Sequence, residues 1–189
     1  LRSRTSITIF LTLVTCASYV NVINGPFLFD DEHFIQKNKS VITFNSYNPN
    51  DTVQEHLTKK IVTPITEIYS SSVTKGAGLD GNFYRPNQQL VFAIIHGFFG
   101  QNPIPFHIVS LIVHVLNAIF VVVLLERLFF GRVAATLAGL LFAIHPIQTE
   151  SVAYISGLAE PLGLLFLLMG LLLVIRTLKS SHSPRRFLV

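Results

Sequence analysis

Three long apolar stretches, two short ones and a single long polar segment set the plan of the chain. Thr5 to Ile23 is apolar with small hydroxyl residues and follows Arg2 and Arg4. Phe106 to Leu125 is long enough to cross a membrane, and Leu158 to Ile175 nearly so, against the ~20 residues a span needs. Val133 to Ile144 is short and rich in Ala and Gly. It reaches spanning length by borrowing Leu128 to Phe130, with Arg132 reaching back to the interface. Leu90 to Phe99 is only about half the ~20 residues of a span and ends at Gly100-Gln101-Asn102-Pro103, so it is placed as a helix lying on the membrane surface. The pattern predicts spans at about 5–24, 104–125, 128–146 and 158–176, and an outer loop over 25–103 with a surface helix at 89–100. Pro49, Pro64, Gly76, Gly78 and Gly81 punctuate the loop, which predicts only short helices there.

A polar thread runs through the second span. His107, Ser110, His114 and Asn117 recur at steps of three, four and three and share one helix face. Such a seam reads first as a hydrogen-bonding edge toward neighbouring helices. The composition agrees with a membrane protein: 50% of the 189 residues are hydrophobic, 13% are charged and there is no Trp. One cysteine, Cys16, lies in the first apolar run, which excludes a disulfide framework and a cysteine metal site.

The net charge of +4 does not signal nucleic acid, because the cations gather at the ends of apolar segments. With a cytoplasmic N-terminus, Arg2, Arg4, Arg127, Arg132, Arg176, Lys179, Arg185 and Arg186 all fall inside, and nine of the ten acids fall outside. Four spans with both ends in the cytoplasm is the topology expected. The first run is longer than the ~7–15 apolar residues of a signal-peptide core, and no small-x-small cleavage site precedes the acids, so it is read as a retained helix. The chain begins without Met and stops soon after a span, and is read as an N-terminal fragment.

Candidate chemistry collects on the outer side. Asp30, Asp31 and Glu32 stand together just after the first span, although like charges so close resist full ionisation unless cations or donors compensate. Phe83-Tyr84-Arg85-Pro86 brings a lone cation beside the membrane surface, and His145-Pro146-Ile147-Gln148-Thr149-Glu150 brings a further acid. Acids plus one cation suit transfer from a lipid phosphate, which needs a base for the acceptor hydroxyl and positive charge for the departing phosphate.

The stretches Asn24 to Asp31, Tyr84-Arg85-Pro86, Pro105-Phe106-His107 with His114 and Asn117, and Phe142 to Ala153 resemble one family. It is the multispanning protein O-mannosyltransferase-like family with tetratricopeptide repeats, within the GT-C glycosyltransferase superfamily. The resemblance runs in order from about residue 24 to 170. It implies an all-α membrane protein, the N-terminal part of a GT-C-type helical bundle with a long non-cytoplasmic first loop, and repeats downstream that this chain does not contain. It implies inverting transfer of a sugar, mannose being the expected one, from a polyprenyl- or dolichyl-phosphate donor to a Ser or Thr of an acceptor protein. By position it makes Asp30 the leading base, Asp31 its partner and Glu150 the second acid of the cleft. Arg85, with Tyr84 beside it, meets the donor phosphate. Apart from the resemblance, His145 reads first as a loop-end hydrogen-bonding residue, and it and His107 are candidates for a supporting role at the site. A divalent cation is an open possibility, although three acids from two loops do not specify a metal site. Where the family reads Ser-Gly-Arg-Ala-Asp, this chain has Ser156-Gly157-Leu158-Ala159-Glu160, so one cation expected near the site is missing.

Two other classes compete with the enzyme. A transporter would use intramembrane His and Asn as a relay, but predicts charges inside several spans, whereas the acids sit at the ends. A non-catalytic scaffold for tetratricopeptide repeats is the other. The expected home is a multi-pass position in a bacterial inner membrane or in the endoplasmic reticulum. Asn38-Lys39-Ser40 and Asn50-Asp51-Thr52 match the N-glycosylation acceptor pattern in the outer loop, though an Asn-rich segment produces such matches easily.

Overall fold

The computed structural model describes residues 2–46, 48–78, 81–128 and 130–181; Arg185 and Arg186 of the topology argument lie outside them. Among the described residues the regular structure is helical, with no strand. In chain order the α-helices are α1 (Arg2–Tyr19), α2 (Lys39–Thr43), α3 (Val53–Glu55), α4 (Thr63–Ser70), α5 (Val73–Gly76), α6 (Pro86–Phe99), α7 (Pro103–Arg127), α8 (Arg132–Ile144), α9 (Thr149–Ala153) and α10 (Ala159–Ser181).

Three segments among the described residues are long and apolar enough to cross a membrane: Arg4–Val22, Pro103–Arg127 and Ile155–Lys179. The hydroxyls of the first span are satisfied within it. Thr12, Thr15 and Ser18 each donate to the carbonyl four residues back, at 2.7–2.9 Å, which keeps polar atoms paired in a non-aqueous surrounding. Leu11, Thr15 and Tyr19 are buried, so α1 is a packed member of the bundle.

The span expected at about 128–146 differs from expectation. Its helix starts at Arg132 instead of Leu128 and runs 13 residues, about 20 Å at 1.5 Å per residue, short of a hydrocarbon core of about 30 Å. The reason is local. The N–H of Leu128 closes α7 on Leu124 and Leu125, and extended Gly131 caps the start of α8. The short helix is held tightly: a Cβ at Gly139 would run into the side chain of Val122, so the α7 and α8 backbones cross at close range.

The basic ends of the helices meet at one end of the bundle. Arg4 and Arg132 both pair with Glu126, at 3.1 and 3.2 Å, and the Lys179 ammonium donates to the Arg127 carbonyl at 3.1 Å. At the other end the polar segment folds into a cap over α6. Ile35, Val41, Phe44 and Ile68 of this cap, Phe92 and Ile95 of α6, Phe106 of α7 and Ile155, Leu158 and Leu162 form one continuous core.

The cap is more helical than its proline content predicts. Residues 53–70 run as one helical stretch, α3 leading through a π turn (His56–Val62) into α4, with Pro64 inside it. Proline cannot donate to the carbonyl four residues back, that of Lys60. That carbonyl instead accepts the Asn45 N–H at 2.8 Å, and the π turn carries the Thr63 N–H to Thr58. A residue expected to break the helix thus provides the acceptor that ties the cap together.

Helix α6 starts at Pro86, earlier than the apolar run, because proline at the first position of a helix is preset for it. Gln88, Gln89, Phe92, Ala93 and Ile95 are buried, whereas Ile94, Phe98 and Phe99 are exposed.

Candidate functional site

The three adjacent acids have three different surroundings. Phe29, 84% exposed, takes φ +47°, a left-handed conformation that costs a non-glycine residue on the order of 1–2 kcal/mol. The chain turns there, and the next three side chains part. Glu32 is exposed and pairs with Lys37 at 2.7 Å; that hydrogen bond and charge hold its carboxyl below the usual range. Asp31 is 1% exposed. One of its oxygens accepts the Leu28 N–H at 2.9 Å, and the other accepts the Ser156 N–H at 2.8 Å and the Ser156 hydroxyl. Both oxygens are used, so Asp31 ties the first loop to the last one. Asp30 is exposed, and its N–H donates to the Tyr154 hydroxyl at 3.0 Å.

Asp30 lines an open cleft of about 400 Å³ with Arg85, Glu150, Ser151, Tyr154, Ser156, Gly157 and Glu160. The fold assembles it from three distant segments, the turn after α1, the start of α6, and α9 with the residues leading into α10. Ser156 is the knot. While its N–H and hydroxyl bind Asp31, its carbonyl accepts Gln88 Nε2 at 2.7 Å and Arg85 at 3.5 Å. The Arg85 guanidinium also pairs with Glu160 at 3.0 Å and lies 5.8 Å from the centre of the Phe83 ring. Gly157 permits the close turn, since a Cβ there would fall 2.9 Å from the Glu150 carbonyl oxygen. Burial pushes the Tyr154 phenol up, the Asp30 N–H works against this, and the carboxylates of Asp30 and Asp31 add to the rise.

Of the residues singled out in the sequence, Asp30, Arg85 and Glu150 come together on this lining. Asp31 lies beneath it. Tyr84 faces away from the cleft: its hydroxyl donates to the Tyr69 carbonyl at 2.9 Å, and its ring lines an adjoining groove with Leu162, Gly163 and Phe166. His107 is buried on α7, bonded to the Gly25 carbonyl at 3.1 Å, where it holds the turn after α1. His145 caps the short 3-10 turn Pro146–Gln148, with its ring accepting the Ile147 N–H at 3.2 Å. These two histidines act on the backbone of the loops and do not line the cleft.

Leu158, read above as a lost cation near the site, is fully buried in the core. The residues that sequence reasoning missed are Tyr154, Ser156, Gln88 and Glu160. Three are uncharged and carry no signal alone; Glu160 was noted only as a departure from the family pattern. Among the described residues no group of three His, Cys, Asp or Glu side chains is placed to hold a metal ion.

Helices of spanning length with a charged cleft at one end of the bundle define a helical membrane protein. The chain is 31% identical over 179 residues to protein O-mannosyl-transferase TMTC3 of Homo sapiens, an alignment covering 94% of this chain and 18% of that protein. It is 29% identical over 162 residues to protein O-mannosyl-transferase TMTC2 of Homo sapiens, covering 85% and 17%. With protein O-mannosyl-transferase TMTC4 of Homo sapiens the identity is 27% over 188 residues, covering 90% and 23%. The chain belongs to this protein O-mannosyl-transferase-like family and spans about a fifth of the length of these relatives. No protein-family profile matches the chain, and neither does any solved structure.

Proposed function

We propose that the chain supplies the acid-bearing end of a glycosyltransferase. The enzyme moves a sugar, mannose in our reading, from a polyprenyl- or dolichyl-phosphate donor to a Ser or Thr hydroxyl of an acceptor protein, with inversion, on the non-cytoplasmic face. The observation that carries this is the meeting of Asp30, Glu150 and Arg85 on one cleft at the end of the bundle opposite the basic helix ends. The carboxylate of Asp30 takes the acceptor's hydroxyl proton as the oxygen bonds to the anomeric carbon. The bond from that carbon to the phosphate oxygen breaks, and the lipid phosphate leaves with its charge opposite Arg85. Asp31 is a positioning residue that holds Asp30 and Ser156 in register, and Glu150 faces the sugar from the other wall. The animal relatives favour the endoplasmic-reticulum membrane over a bacterial one.

In the intact protein, given a lipid-phosphate sugar and an acceptor peptide, Asp30→Asn is expected to lower turnover by ~10²–10⁴-fold while donor binding survives. Arg85→Ala is expected to weaken donor use instead, since it removes the charge facing the phosphate. Wild-type turnover of Asp30→Asn, under conditions where chemistry limits the rate, would remove Asp30 from the role of base. Loss of none of the activity on neutralising Asp30, Asp31 and Glu150 in turn would leave the protein a scaffold.

A further inference from the structure

The outer loop carries two matches to the N-glycosylation pattern, and their surroundings are opposite. Asn38 is 2% exposed. Its side-chain oxygen accepts the Ser40 N–H at 3.1 Å, which caps α2, and its amide nitrogen donates to Gln89 of α6 at 2.8 Å. Ser40, the hydroxyl residue of that match, is 6% exposed and donates to Glu67 at 2.9 Å. A glycan on Asn38 would occupy the nitrogen that reaches Gln89 and force a bulky polar group between α2 and α6. The cap could not close over it.

Asn50 stands in a turn on the surface. Its backbone N–H donates to the Asn48 side-chain oxygen at 3.1 Å, while its own side-chain amide has no hydrogen-bond partner among the described residues. Two residues on, Thr52 begins α3 with a reciprocal cap: its hydroxyl accepts the Glu55 N–H at 3.3 Å, and the Glu55 carboxylate accepts the Thr52 N–H at 3.2 Å. None of these bonds uses the Asn50 amide, so a glycan there leaves the cap and the helix intact.

We propose that Asn50 is an N-linked glycosylation site of this protein and that Asn38 is not. The proposal rests on the reading that the outer loop lies on the non-cytoplasmic side. A lipid-diphosphate-linked oligosaccharide is the co-reactant, supplied with its transferase by the host membrane. The Asn50 amide nitrogen bonds to the anomeric carbon and gives up one proton, the carbon–oxygen bond to the diphosphate breaks, and the lipid diphosphate leaves.

The test is translation of the protein with microsomes, followed by digestion with an enzyme that removes N-linked glycans. One glycan-sized step in gel mobility is expected, reversed by the digestion. It should be lost in Asn50→Gln and in Asp51→Pro, which blocks the acceptor pattern without touching Asn50. It should persist in Ser40→Ala, which removes the first match and leaves the α2 cap in place. Two steps, or a step lost in Ser40→Ala and kept in Asn50→Gln, overturns the assignment. Added protease separates the remaining failure into two. No step with the loop shielded overturns the site and leaves the orientation standing; no step with the loop cleaved overturns both.

Discussion

Two polar clusters sit in this bundle, and they are built on opposite principles. Along α7, His107, Ser110, His114 and Asn117 are all buried, and three of them spend a ring or amide nitrogen on a backbone carbonyl of another segment. His107 holds Gly25 at 3.1 Å, His114 holds Ala143 at the end of α8 at 2.9 Å, and Asn117 holds Pro161 near the start of α10 at 2.8 Å. In the cleft, Asp30, Arg85, Glu150 and Glu160 are charged and partly or fully open, and they sit on turns and helix ends. Within the span, polarity fastens neighbouring segments by donating to their backbone carbonyls. At the end of the span it is left accessible, where a charged ligand can reach it. The same residue types would be weak evidence of function in the first place and better evidence in the second.

This contrast can be broken by substitution. Asp31→Ala should have the largest effect on the fold, because Asp31 is the one acid of the cleft region that behaves like a seam residue. Its loss strands the N–H groups of Leu28 and Ser156 and the Ser156 hydroxyl, at a cost of about 3 kcal/mol or more. Unfolding in detergent should register it, and turnover should fall with it. Asn117→Leu should cost about 1–2 kcal/mol by the same measurement, yet leave turnover per folded molecule unchanged. A drop in turnover without a drop in stability would mean that the seam takes part in chemistry after all. Glu160→Gln should have the smallest effect and the opposite sign. The Arg85–Glu160 pair is exposed enough to contribute at most about 1 kcal/mol, so releasing the guanidinium should strengthen binding of a lipid phosphate by up to ~5-fold, read by titration.

The long spans were legible because uninterrupted apolar length and flanking cations have few other readings. The seam was legible from its spacing. The helical stretch through Pro64 was not, since what rescues it is a carbonyl satisfied from Asn45, distant in sequence. Asp30 and Asp31 are chemically identical neighbours, and what distinguishes the buried one is its bonding to Ser156, distant in sequence. Tyr84 and His145 carried the chemistry of a site in their side chains but spend it on the backbone of the loops. Ser156 stood in the family-like stretch without a role, because a serine in a loop signals nothing until its partners are known.

The bond from Asp31 to Ser156 joins residues 125 apart in the chain. At roughly 5–20 residues per second of synthesis, the first acid waits on the order of 6–25 s for the serine that completes its site. Throughout that interval Asp31 lacks the two donors that Ser156 supplies. Closure of the cleft is therefore timed by the arrival of Ser156, not by completion of the first loop.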